Sequence, residues 1–461
     1  MGRRTSSSSP RSHSDRLCVW AVDISGWAES LDSGTSDGGH GSSSAPSSSL
    51  SHSVDKSRGG SGTPVDKIIE ELIGSHGHDI VTEDMRRAST KIRKYIRQVD
   101  RVRSLAGQLL PRVMYSQTYP DQCTWTNMKF GATKENRPFL AEPKHLSITD
   151  YNVTHDEDWI AIAFHAPSAD EDGDDQDPRR VGIDVMAVAL PNFDPSVAGF
   201  VSMMELAMTP AEQKWVMSAN PGAKEAPHDY FTDPKGKRPA PQKGEDLNPQ
   251  EHEMLMRLYD LWTYKEALTK NVGCGLGFDF STIELAFWRC PEVPLPVSPS
   301  SPTKEENDDK LNRAARQHAS RTSAGRPGAD PSKSILTLAG KPEGRYSFVE
   351  IHLPASRAER REGEANGPAG ALAPTPTRTC ARSQLVVCEG PYPEGTLTSS
   401  VADAGDNGEE DGSGHPTNLV QIAPALDAAD AMEAGLLRIW TMAELVEEAR
   451  KLRRDGRFFH R

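Results

Sequence analysis

The strongest constraint on this chain is interruption. Short apolar islands alternate with long tracts of Ser, Gly, Pro and charged residues, which bury too little apolar surface to offset the entropy of ordering. Such disordered inserts are expected at about 28–63, 218–250, 294–333, 356–380 and 398–417, with a disordered tail over 1–16. Subtracting them leaves roughly 270 residues able to order, enough for an α/β body in two parts. The length of 461 therefore demands no third domain.

The islands carry clear periodicities. LCVWAVDISGW (17–27) reads as a strand, and a helix begins near Pro64 with Ile68, Ile69, Leu72 and Ile73 in register. A single longer helix is expected over 84–113, with Ile92, Ile96, Val99, Ala106, Leu109 and Val113 on one face. YNVTH (151–155) and WIAIAFH (159–165) are β-rich, and VGIDVMAV (181–188) reads as a buried strand. A helix near 199–217 contains TPAE at 209–212, and a continuous helix runs from about 249 to 272 and stops at Gly273. RYSFVEIHLP (345–354) and SQLVVCEGP (383–391) read as strands. The last helix stripes Met442, Leu445, Val446, Ala449 and Leu452. The expected organisation is a first lobe over 17–165, an acidic linker over 166–180 and a second lobe over 181–455.

Charge is distributed unevenly. The formal net charge is -13, yet 170–177 (DEDGDDQD) holds six acids and 403–411 (DAGDNGEED) five; without these eleven, -13 becomes -2. Within 85–113, by contrast, nine basic residues (Arg86, Arg87, Lys91, Arg93, Lys94, Arg97, Arg101, Arg103, Arg112) face one acid, Asp100. A solvated basic face is the plain reading, and a site for a polyanionic small ligand is the sharper one. The acidic total and the lack of interleaved aromatics argue against nucleic acid. No run of 18 apolar residues exists, so no membrane span is expected, and the N-terminus lacks a secretory apolar core. MGRRTS loosely fits an N-myristoylation pattern at Gly2. The six cysteines form no CxxC pair, so scattered reduced thiols of a cytoplasmic protein are expected.

Two places invite chemistry. Asp184 stands in an apolar strand, where a carboxylate is costly unless paired, hydrogen-bonded or metal-bound. Trp262, Glu266 and Lys270 stand at i, i+4 and i+8 on one helix face. Glu266 with Lys270 is also the ordinary orientation of a surface salt bridge, whereas beside a hydrophobic wall the pair suits acid/base work.

Taken together, Gly182-Ile183-Asp184 and Trp262-Thr263-Tyr264-Lys265-Glu266-Ala267-Leu268-Thr269-Lys270 resemble the signature pair of the 4'-phosphopantetheinyl transferase superfamily, in its single-chain form. Asn136-Arg137-Pro138, the Asn152-Val153-Thr154-His155 turn, DRVRSLAGQLL and GLGFDFSTIEL (275–285) resemble further family segments. Thr154 stands where Ser is commoner, and Met186 where many bacterial members have an acid. The latter is similar to eukaryotic members such as the aminoadipate-semialdehyde dehydrogenase phosphopantetheinyl transferase, with water filling the position. The long inserts resemble those of fungal members.

The resemblance implies an α+β fold of two similar α/β lobes related by a pseudo-twofold. It implies transfer of 4'-phosphopantetheine from coenzyme A to a serine of a carrier protein, with release of 3',5'-ADP. By the same resemblance Mg2+ is held by Asp184 and Glu266, and Glu266, or a water it positions, is the general base. Lys270, with Lys265 beside it, serves the leaving phosphate. Coenzyme A is held by Lys270, Thr154, His155, Arg137 and one of Arg97, Arg101 and Arg103; a packed core histidine is the other reading of His155. Aminoadipate reductase, fatty-acid synthase and polyketide or peptide synthases are the implied carriers of a monomeric enzyme. Other classes remain open: a catalytically silent coenzyme A-binding scaffold, a basic-helix nucleic-acid binder, or a metal-dependent hydrolase of the coenzyme A diphosphate.

Overall fold

The computed structural model describes residues 17–25, 27, 63–74, 82–146, 150–166, 180–191, 196–219, 247–274, 277–286, 335–354, 383–392, 420–423 and 425–455. The expected N-terminal tail with its Gly2 pattern, most of the acidic linker and most of each insert lie outside the described residues. The described part is a mixed α+β structure.

The first half opens with β1 (Leu17–Asp23), whose apolar run is almost entirely buried. Helix α1 (Pro64–Ile73) begins at a Thr63–Asp66 capping box with Pro64 in its first turn, where a missing N–H costs nothing. The single helix expected over 84–113 is instead two, α2 (Glu83–Ile92) and α3 (Gln98–Thr118). Continuation would have stacked Arg93, Arg97 and Arg101 at successive i, i+4 positions, which is repulsive. The break lets Arg93 bond Glu70 and Arg101 bond Asp66, both on α1, and leaves Ile96 96% exposed. The hairpin β2 (Lys129–Ala132) and β3 (Pro138–Glu142) follows, then β4 (Tyr151–Asp156) and β5 (Trp159–His165).

In the second half, β6 (Arg180–Ala187) leads to α4 (Val197–Met203) and α5 (Pro210–Ser218). The single helix expected over 199–217 is therefore also divided. Pro210 forces Thr209 into an extended conformation, and Thr209 with Glu212 forms the capping box that restarts the helix. Helix α6 (Pro249–Val272) starts at an Asn248 capping box and ends at left-handed Gly273 (φ 86°), as its sequence predicts. Strands β7 (Ile283–Ala286), β8 (Ile335–Leu338), β9 (Lys341–Pro342), β10 (Ser347–Leu353), β11 (Ser383–Gly390), β12 (Gln421–Ile422) and β13 (Leu426–Asp427) precede α7 (Ala428–Glu433), β14 (Leu437–Thr441) and α8 (Met442–Asp455).

Two sheets organise these elements, in the orders β14-β1-β5-β4 and β12-β10-β11-β6. The first places the chain's end where the sequence reading did not. The expected second lobe ran to 455, but β14 pairs in parallel with β1, and α8 shares a core with α3. The physical reason is that buried β1 has two edges to satisfy: β5 takes one and β14 the other. Met442, Leu445, Val446 and Ala449 then complete the core over that sheet.

The sheets meet along β4 and β6. One edge of β6 pairs with β11, and side chains of the β4 segment serve the amides of the other. Asp150 accepts from Val181 N (2.8 Å), Asn152 from Ile183 N (3.1 Å) and Asp156 from Ala187 N (2.7 Å). Behind this seam a third core joins Val19, Ala21, Ala161 and Ala163 to Ile183, Val185 and Leu385.

Helix α6 crosses β6 in backbone contact. A Cβ at Gly182 would lie 2.0 Å from the Ala267 carbonyl oxygen and 2.3 Å from Asn271 N. The Asn271 amide staples the crossing by donating to the Arg180 and Cys388 carbonyls at 2.8 and 3.0 Å. Gly182→Ala is expected to cost at least about 1–3 kcal/mol, because the obstructing atoms are main chain. A urea unfolding midpoint equal to that of the unsubstituted protein would refute the contact.

Candidate active site

The crossing at Gly182 decides which side chains meet. Glu266 and Lys270 lie one turn apart on α6, and Asp184 is two residues beyond Gly182 on β6, on the same sheet face. Lys270 Nζ stands 2.6 Å from Asp184 Oδ1 and 3.1 Å from Thr154 Oγ1. Thr154 Oγ1 in turn donates to Asp184 Oδ1 at 3.1 Å. The structure therefore brings together Asp184, Glu266, Lys270 and Thr154, the last from the other sheet.

Asp184 and Glu266 are buried, at 4% and 8% exposure. Burial pushes both carboxyls above their ordinary range; Lys270 opposes this for each, and Asp184 adds repulsion on Glu266. Among the described residues Asp184 Oδ2, which is buried, has no hydrogen-bond partner. Orphaned buried carboxylate oxygen is expensive, and a divalent cation with oxygen preference would relieve it. Among the described residues no three His, Cys, Asp or Glu side chains group as a metal set. Met186, partly buried, occupies the strand position two residues after Asp184. The donor set thus fits Mg2+, which commonly takes one or two carboxylates and completes its shell with water and phosphate.

Beside this cluster opens a cleft of about 500 Å³ between α2, α3, the β2–β3 hairpin and β4. Arg87, Lys91 and Arg103 outnumber the acids Asp84 and Asp100 along it, Tyr95 and Tyr151 give it aromatic walls, and His155, next to Thr154, also lines it. Partial desolvation and then the charges of Arg103 and Lys270 hold the His155 pKa below the ordinary histidine value.

The remaining sequence candidates fall elsewhere. Of the three competing arginines only Arg103 lines the cleft, braced by the Glu157 carbonyl (2.7 Å) and Asp100 (3.2 Å). Arg101 is held by Asp66 and the Tyr95 carbonyl, and Arg97 is 72% exposed beside Asp100. Arg137 turns away from the cleft: it bonds Asp150, the Val181 carbonyl and the Lys270 carbonyl. Lys265 points to the far side of α6, where its ammonium is buried against Glu212 and the Ala207 and Phe280 carbonyls. Its expected place beside Lys270 is corrected by helical geometry, since five residues turn the side chain well away from that face. The segment 151–155, read as β-rich, is strand throughout, so Asn152–His155 is not the turn that the family resemblance implied.

Arg87 and Lys91 were not singled out from the basic run, although their i, i+4 spacing put them on one face. Arg112 in the same run is a core residue, bonded to Asp84 and stacked on Phe130 at 4.8 Å.

Comparison with known proteins finds likenesses along both halves of the chain. Residues 80–166 match the family described as 4'-phosphopantetheinyl transferase, N-terminal, and residues 180–295 match the 4'-phosphopantetheinyl transferase superfamily. A 4'-phosphopantetheinyl transferase of Paxillus involutus is 32% identical over 199 residues, 42% of this chain and 61% of the relative. A phosphopantetheinyl transferase of Thraustochytrium sp. is 28% identical over 189 residues, 41% of this chain and 52% of the relative. The matched part thus spans less than two thirds of each relative. The two family matches follow one another along the chain, so residues 80–166 and 180–295 are each similar to 4'-phosphopantetheinyl transferases.

Lys265→Met leaves Glu212 charged and 0% exposed without its counter-ion, held by the Thr209 and Leu285 amides, so a stability loss of about 3–5 kcal/mol is expected, partly restored by adding Glu212→Gln. A Lys265→Met protein with unchanged Tm would return Lys265 to the list of reacting groups.

Proposed function

We propose that this protein transfers 4'-phosphopantetheine from coenzyme A to a serine of an apo carrier protein and releases 3',5'-ADP. The observation that carries the reading is the Asp184–Glu266–Lys270 cluster beside a basic cleft, with Asp184 Oδ2 buried and, among the described residues, unpartnered. The two names carried by the relatives support it.

In this reading Arg87, Lys91, Arg103 and His155 receive the phosphates of coenzyme A, where guanidinium and ammonium donors neutralise charge. Asp184 and Glu266 would hold Mg2+, which supplies neutralisation of the diphosphate when bound. Glu266, or a water it orients, takes the proton of the carrier serine as that oxygen forms its bond to phosphorus. The bond from phosphorus to the ADP oxygen breaks, and Lys270 offsets charge on the departing phosphate. Thr154 holds Lys270 and Asp184 in register.

The reading extends to the pseudo-twofold pair of lobes, a monomeric cytoplasmic enzyme, and carriers such as aminoadipate reductase, fatty-acid synthase and polyketide or peptide synthases. The long helices α3 and α6, each backing one sheet, agree with the first of these. Among the described residues no helix is long and apolar enough to cross a membrane. The four described cysteines are free thiols.

The test is a transfer assay from coenzyme A to several apo carriers, with Mg2+ omitted as a control and products weighed by mass spectrometry. Asp184→Ala and Glu266→Ala are each expected to abolish the mass gain of the carrier while the protein stays folded. Turnover near that of the unsubstituted enzyme in either variant sinks the assignment, and ADP release without carrier modification indicates hydrolysis.

The pH dependence has a definite sign. Glu266 must be ionised to accept a proton; its protein environment raises its pKa and a bound Mg2+ would lower it, so the acidic limb of kcat should move down toward the ordinary glutamate range as Mg2+ is raised. A kcat that stays flat down through that range would exclude Glu266 as the base.

A further inference from the structure

The last turn of α6 has an end-capping problem. A helix leaves its final carbonyls without intrahelical partners, and its C-terminus carries partial negative charge. Here the Thr269 carbonyl accepts from Gly273 N (2.9 Å), and the Val272 carbonyl accepts from Arg180 (3.0 Å). The Lys270 carbonyl accepts from Arg137, which belongs to the other sheet's half of the molecule. Lys270 is also the residue whose ammonium reaches Asp184.

Arg137 is built for that place. Its neighbours Asn136 (φ 67°) and Pro138 line the basic cleft, while its own guanidinium, 10% exposed, enters the seam between β4 and β6. There it is oriented by Asp150, which simultaneously accepts from Val181 N at 2.8 Å, and it donates to the Val181 carbonyl at 2.7 Å. One planar fork therefore ties the cleft hairpin, the start of β6 and the end of α6.

We propose that Arg137 is a positioning residue, which holds Lys270 against Asp184 by capping the Lys270 carbonyl, and not a ligand for a phosphate of coenzyme A. The inference rests on the transfer reading above. A loosened α6 terminus lets the Lys270 ammonium drift from Asp184, so the loss falls on the chemical step and spares ground-state binding in the cleft.

The experiment separates kcat from KM for coenzyme A in the full-length protein, with a carrier that the unsubstituted enzyme modifies. Arg137→Ala is expected to lower kcat by about 10- to 100-fold, as a displacement near 1 Å does, while KM changes by less than about threefold. Arg137→Lys keeps the charge but loses the fork; it is expected to show the same split with a smaller fall in kcat, and it stands alone if the alanine variant does not fold. A raised KM at unchanged kcat would make Arg137 a substrate ligand, and unchanged values of both would leave it without a role; either overturns the proposal. Failure of the unsubstituted enzyme to modify any carrier sinks the transfer reading instead. In that case hydrogen exchange decides: amides of 270–274 should exchange faster in Arg137→Lys, and equal exchange overturns the capping claim.

Discussion

The structure depends on the contact between a helix backbone and a strand backbone at Gly182. No side chain separates α6 from β6 there, because any Cβ would overlap the Ala267 carbonyl. That approach puts the carboxylate of Asp184 within 2.6 Å of the Lys270 ammonium and within electrostatic reach of Glu266. A wider spacing, of the kind side chains impose between helix and sheet, would leave three charged groups lining a gap. The glycine's use is the absence of bulk: its role is in packing, since it sits in an ordinary strand.

A second dependence runs through β4. Its polar side chains at 152, 154 and 156, with Asp150 just before it, alternate with period two, which in an isolated hairpin marks a solvent face. In the folded protein that face is the joint between the halves, each side chain bonded to β6. The arrangement satisfies an exposed sheet edge and delivers Thr154 to Asp184 in one step. Arg137 and Asp150 extend the joint to the end of α6, so the seam and the candidate site share one hydrogen-bonded network.

Part of this was legible in advance because local pattern decided it. The continuous helix over about 249–272 and its stop at Gly273 are each set within a few residues, and the observed helix has those bounds. Asp184 stood out because a carboxylate in an apolar strand needs a partner. Other expectations failed where distant partners prevail. The basic helix broke because Glu70 and Asp66 on α1 offered its arginines ion pairs. The last strand and helix crossed to the first sheet because β1 had an unpaired edge.

The sequence by itself determined the chemical types available and their local geometry: a glycine and an aspartate two apart in a strand, a glutamate and a lysine one turn apart in a helix, and basic residues clustered before them. Local periodicity carries that information, since backbone geometry repeats over a few residues. Which cations face the cleft was decided only by the tertiary structure: Arg87, Lys91 and Arg103 line it, while Arg101, Arg112, Arg137 and Lys265 are bound to acids or carbonyls elsewhere. A guanidinium's role follows from the acceptors that surround it, and those acceptors come from segments far apart in the chain.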